Sequence, residues 1–175
     1  KELDSLSDVV SFGVAPAIMM YQLYLQSHDF IPNNYGINIP ALICPILFAC
    51  FAAYRLAKFN LDTLQKENFR GLPTPAAAFV LISFPFFHIN DYPIIIYTIT
   101  ILLLSFLMVS HIPLFSLKFK NLKPKDNIFR YILIFISVLL LGCLQLKAIP
   151  FIILIYILLS IIELYLNKTL KRTSE

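Results

Sequence analysis

Asp4 and Asp8 stand four residues apart in the opening segment Lys1–Ala17. On a helix that spacing puts both carboxylates on one face, and Ser11 and Ala15 continue the face. Two like charges so placed repel each other. In an apolar, membrane-crossing helix, ionisable residues are costly and usually functional. A compensating cation is therefore expected, and a divalent metal held by carboxylate oxygens is the natural candidate. The competing reading puts both acids in the headgroup zone at a helix N-terminus, where the macrodipole favours them. Spacing alone leaves both open.

A second group is cationic. Arg55 and Lys58 are three apart and share a helical face, Asn60 follows, and Arg70 lies in the next loop. Across from the acids they would form a pocket for a phosphate or a carboxylate, since Arg suits bidentate oxyanion recognition. The plainer alternative is charges that snorkel to the membrane surface. Gly71, Pro73 and Pro75 read as a rigid re-entry into the bilayer or as a plain loop-to-helix joint. Gly13 permits close helix approach, and Pro16 should kink its helix.

These residues need a membrane scaffold. The chain has 175 residues, 59% hydrophobic and only 14% charged, against about 25% charged in a soluble domain. Mean hydropathy is +0.79. Six apolar stretches are candidate membrane helices, roughly Leu3–Gln26, Ile39–Ala57, Pro73–Phe87, Pro93–His111, Ile128–Leu146 and Ala148–Leu166. The third is short and contains Pro85, so a tilt or a break is expected there. Pro and Gly mark the joints. The fold class expected is an all-α polytopic transmembrane bundle, a single domain over residues 1–175.

Placing the N-terminus in the cytoplasm and alternating puts Lys1, Arg55, Lys58, Lys66, Arg70, Lys118, Lys120, Lys123, Lys125, Arg130, Lys168, Lys171 and Arg172 on the inner side. Only Lys147 falls outside. That asymmetry is a positive-inside signal. The net charge of +4 then lies on one membrane face, where it attracts anionic headgroups. No nucleic-acid motif is present. Cys44, Cys50 and Cys143 lie in apolar runs and read as small buried hydrophobes. His28, His88 and His111 read as interfacial, while Asp29 and Asp91 fall in outer loops. Glu163 has two alternatives: pairing with Lys168 or facing a neighbouring helix.

The opening segment resembles the second half of the CDP-alcohol phosphatidyltransferase signature, D-x2-D-G-x2-A-R-x(7–8)-G-x3-D-x3-D, with Asp4 and Asp8 at its third and fourth aspartates. The continuation Asp8-Val-Val-Ser-Phe-Gly-Val-Ala-Pro-Ala17 looks like the phosphatidylserine synthase branch. Tyr54-Arg-Leu-Ala-Lys-Phe-Asn60 is similar to that branch's R-L-A-R-F-N stretch. Phe69-Arg-Gly-Leu-Pro-Thr-Pro-Ala-Ala77 is similar to its F-x-G-L-P-S-P-A-A stretch. The first half of the signature is absent, and the chain opens without Met inside a charged stretch. Truncation of the first helices, and an inactive fragment, are therefore expected.

The resemblance implies transfer of a phosphatidyl group from CDP-diacylglycerol to the hydroxyl of L-serine, giving phosphatidylserine and CMP. It implies Asp4 and Asp8 as ligands of Mg²⁺ or Mn²⁺, and Asp8 also as the base for serine. Arg55, Lys58, Asn60, Arg70 and Ser11 become substrate-binding candidates. The site would face the cytoplasm from the cell membrane, among membrane lipids, and a homodimer is the family's common form. Alternatives are a sister enzyme using inositol or glycerol phosphate, an archaetidylserine synthase with an ether-lipid donor, and a non-catalytic membrane protein or transporter.

Overall fold

The computed structural model describes residues 2–27, 30, 35–61, 68–87, 93–117 and 127–173. Lys66, Lys118, Lys120, Lys123, Lys125, His28, His88, Asp29 and Asp91 lie outside them.

The expected first helix is present but not uniform. It opens as α1, Glu2–Val9, passes through a π-helical turn, Val10–Val14, and continues as α2, Ala15–Gln26. Pro16 accounts for the turn. Proline has no N–H for the carbonyl four residues back, and its ring crowds that carbonyl. The chain widens by one residue instead: the Ala15 N–H bonds to Val10 O. The expected kink is thus a π-turn, a feature that recurs at functional sites. It also corrects the helical face, because the spacing that would carry Asp4 and Asp8 on to Ser11 and Ala15 ends at Val9.

The second segment becomes α3, Tyr35–Leu61, which runs through Pro40 and Pro45. The third becomes α4, Thr74–Ser83, followed by a 3-10 turn, Phe84–Phe87. Pro85 lies in that turn, so the α-helix ends where the proline demands. The fourth is α5, Ile94–Val109. The last two are α6, Ile128–Leu144, and α7, Ile149–Thr173, joined by a 3-10 turn, Gln145–Ala148. Gln145 has φ 52°, and this left-handed residue breaks the apolar run into two helices that pack on each other.

Three described stretches are long and apolar enough to cross a membrane: Leu3–Gln26, Asn38–Leu61 and Ile128–Leu166. The helices Thr74–Phe87 and Ile94–Val109 are apolar but shorter. Large apolar side chains cover the outer surface; Phe135 is 66% exposed and Phe106 64%. A water-facing protein rarely presents such continuous apolar area, whereas lipid tails accept it.

One departure from the all-helical expectation is a short antiparallel pair. Strand β1, Asn68–Arg70, pairs with β2, Pro113–Phe115, in the register Asn68↔Phe115, Phe69↔Leu114, Arg70↔Pro113. It ties the segment ahead of α4 to the exit of α5.

The core lies where α2, α3, α4 and α5 meet, with Met20, Tyr24, Phe48, Leu81, Tyr97, Ile101 and Met108 almost wholly buried. Tyr24 packs against Tyr97 with the rings tilted and their centroids 5.5 Å apart. Its hydroxyl bonds to Thr98 Oγ1 at 3.0 Å, so the buried phenol is satisfied.

Candidate functional site

In α1, Asp4 is exposed and Asp8 half-buried, one turn apart on the same face. Among the described residues no cation pairs with either carboxylate, and no group of three or more His, Cys, Asp or Glu comes together. Ser11 falls in the π-turn and is exposed. Gly13 lies buried against α3: a Cβ there would stand 3.1 Å from Ala52 Cβ. That close approach brings the acid-bearing segment onto the helix that carries the cations.

A hydrogen bond joins the two motifs. Asn60 Nδ2 donates to Ser5 Oγ at 2.6 Å. The last turns of α3 thus lie beside the helix of Asp4 and Asp8.

Arg55 is buried, 7% exposed. Its Nη1 donates to Thr74 Oγ1 at 3.4 Å, and its guanidinium lies over the Phe59 ring, 5.6 Å from the centroid. No carboxylate among the described residues pairs with it. A buried cation without a counter-ion is costly, so this position suits an incoming anion. Lys58 Nζ stands 3.4 Å from His111 Nε2. An ammonium only donates, so the histidine accepts. His111 therefore contacts a candidate site residue, which its place at a helix end did not reveal.

The third motif is positioned by Gly71. Its φ is +77°, and a Cβ would come 2.5 Å from Met108 O and 2.7 Å from Ser110 O. Gly71 N–H bonds to Ile112 O and Leu72 N–H to Leu107 O, both at 2.9 Å. The turn holds Thr74 at the head of α4, where it receives Arg55. Arg70 lies in β1, and its backbone pairs opposite Pro113; its side chain is outside the described residues.

Two groups beyond the motifs lie nearby. Tyr156 donates its hydroxyl to Phe115 O at 2.9 Å and packs edge-on against that ring. Glu163 and Arg130 line one cavity, so Glu163 faces a neighbouring helix; the side chain of Lys168, the other expected partner, lies outside the described residues. A larger cavity of about 440 Å³ between α2 and α3 has no charged lining.

No family model matches the chain. Curated relatives do. A CDP-diacylglycerol–serine O-phosphatidyltransferase of Methanocaldococcus jannaschii is 42% identical over 131 residues, covering 75% of this chain and 53% of the relative. The enzyme of the same name from Bacillus subtilis is 34% identical over 112 residues, 64% of this chain and 56% of its own length. An archaetidylserine synthase of Methanothermobacter thermautotrophicus is 44% identical over 84 residues, 48% of this chain and 32% of the relative. The chain spans about half the length of the first two relatives. Their names agree with the branch that the three motifs resemble. With the apolar helices, they make this an integral membrane protein.

Proposed function

We infer that this chain is part of a CDP-diacylglycerol–serine O-phosphatidyltransferase, which transfers a phosphatidyl group from CDP-diacylglycerol to L-serine and releases CMP. The observation that carries the reading is Arg55: a buried guanidinium with no acid partner among the described residues, on a helix bonded to the one that bears Asp4 and Asp8. That is a cationic wall awaiting an anion, beside carboxylates awaiting a cation. A nucleoside diphosphate with its metal satisfies both.

Asp4 and Asp8 fit a divalent ion as a partial donor set. They offer two oxygen-bearing groups on successive turns, unpaired among the described residues. Mg²⁺ is typically held by one or two carboxylates, with waters and substrate phosphates completing the shell. When bound, Mg²⁺ or Mn²⁺ would neutralise the pyrophosphate and favour attack at phosphorus.

The chain's own residues do the rest. Asp8 accepts the proton of serine's hydroxyl as that oxygen attacks the phosphorus bearing the diacylglycerol. The pyrophosphate P–O bond breaks and CMP departs with the electron pair. Arg55 and Lys58 hold the pyrophosphate oxygens or serine's carboxylate, and Arg70 supplies further positive charge. Asn60 and Ser11 contribute polar contacts at the rim.

The six helical segments then read as six membrane crossings. The 39-residue stretch Ile128–Leu166 would measure about 58 Å as one helix, roughly twice the hydrocarbon thickness, and it turns at Gln145. With the lysine asymmetry, the site faces the cytoplasm, where serine and CMP are dissolved. A second reading, an ether-lipid donor, draws on the archaetidylserine synthase relative.

The test uses the full-length source protein, in vesicles containing CDP-diacylglycerol or its ether counterpart and Mg²⁺. Labelled serine should enter lipid. Incorporation of inositol or glycerol phosphate in its place would overturn the reading. A preference for the ether donor selects the second one.

A further inference from the structure

Glu163 is a carboxylate left over. Its Oε2 is buried, and among the described residues no hydrogen-bond partner reaches it. Such a group in a membrane helix is costly and marks function by default. It lines a cavity of about 90 Å³ together with Arg130, Ser160 and Phe115. That is several times the space a single water needs, room for a small polar molecule.

Arg130 forms another wall and is held firmly. Its Nε donates to Ser116 O at 2.8 Å and its Nη1 to Asn127 Oδ1 at 3.2 Å. The guanidinium lies over the Phe115 ring, 5.5 Å from the centroid. Two of its five N–H donors are thereby used, and among the described residues nothing else takes the rest of the fork, which suits an oxyanion. The Ser160 hydroxyl donates to Tyr156 O at 2.8 Å, which leaves its lone pairs as acceptors.

The charges decide the ligand class. A simple cation would meet the arginine, and a simple anion would meet the carboxylate. A molecule with an ammonium and a carboxylate on one carbon satisfies both walls. We propose that this cavity binds the ammonium and carboxylate of an α-amino acid, Glu163 taking the ammonium and Arg130 the carboxylate. The proposal rests on the reaction inferred above, in which the amino acid is serine. It assigns serine's carboxylate to Arg130 and leaves Arg55 to the pyrophosphate. Phe115, which lines the cavity, is in contact with Tyr156. Free serine and the headgroup of phosphatidylserine share this chemistry.

The experiment measures KM for serine and for CDP-diacylglycerol in the full-length protein, alongside inhibition by 3-hydroxypropionate, which lacks the ammonium. Glu163→Gln should raise the serine KM roughly ten- to a hundredfold. It should leave the CDP-diacylglycerol KM and the binding of 3-hydroxypropionate undiminished. A merely structural role would weaken all three alike and would overturn the proposal. Ser160→Val narrows the cavity without touching either charge; it should raise the serine KM too, and it is read in place of Glu163→Gln if that variant does not fold. Vesicles loaded with phosphatidylserine separate the two sources. Loss of product inhibition with an unchanged serine KM assigns the cavity to the headgroup, whereas no change in either removes the subsite. A wild-type protein that makes no phosphatidylserine overturns the reaction and not the cavity alone.

Discussion

The side-chain amide of Asn60 donates to the hydroxyl of Ser5 at 2.6 Å across 55 residues of sequence. This bond ties the end of α3, with Arg55 and Lys58, to the helix of Asp4 and Asp8. Its position predicts coupling. Ser5→Ala and Asn60→Ala should each cost about 1 kcal/mol of stability, and the double variant should cost less than their sum. Thermal melting of the four proteins checks this; strictly additive losses would show that the bond does not couple the helices.

Asp8→Asn in the full-length protein should abolish phosphatidylserine formation while leaving CDP-diacylglycerol binding largely intact. The amide is nearly isosteric but cannot take serine's proton, and losing a positioned base typically costs about 10²–10⁴ in rate. Asp4→Asn should instead be partly restored by raising Mg²⁺ or Mn²⁺, because it weakens a hard-cation site. Serine incorporation across a metal titration distinguishes the two. Near-normal turnover in Asp8→Asn would refute the assignment of the base.

Replacing Arg55 should move stability and activity in opposite directions. Arg55→Met removes a buried charge that no acid offsets among the described residues, so the melting temperature should hold or rise. The KM for CDP-diacylglycerol should rise roughly ten- to a hundredfold, as expected for losing charge-assisted bonds to a phosphate. A large fall in melting temperature with unchanged KM would make Arg55 a structural residue.

Gly71→Ala should destabilise the protein by about 3 kcal/mol. The added Cβ must adopt φ +77° and meets carbonyl oxygens of Met108 and Ser110, combining backbone strain with overpacking. Denaturation in detergent reads the loss. A variant as stable as wild type would show that the turn relaxes freely.

The lysine asymmetry predicts topology. In a variant with Cys44, Cys50 and Cys143 replaced by Ser, Lys147→Cys should be labelled by an impermeant thiol reagent in intact cells, and Lys123→Cys should not. Labelling at Lys123→Cys would invert the orientation.

Much of the scaffold was legible along the chain. Each apolar stretch became a helix close to its expected bounds, because hydropathy and proline act within a few residues of themselves. Pro85 ended α4, and Gly71 proved to be the turn its motif indicated. The acid pair Asp4 and Asp8 was equally legible, since four-residue spacing needs only α1.

Other features were not written locally. Pro16 announced a kink, but that Gly13 beside it packs closely against Ala52 on α3 was visible only in the structure. The pairing of Asn68–Arg70 with Pro113–Phe115 carries no strand-like pattern; it arises because α4 and α5 return the chain to the same end. Arg55 and Lys58 looked alike in sequence, yet one is buried on Thr74 and the other reaches His111. Glu163 had no assigned partner until α6 and α7 folded back at Gln145 and faced it towards Arg130's cavity. Sequence by itself determined which segments form apolar helices and which residues carry charge, because hydropathy is a property of each side chain. Tertiary structure alone decided which polar groups meet, because those contacts join residues tens of positions apart and depend on how the helices pack.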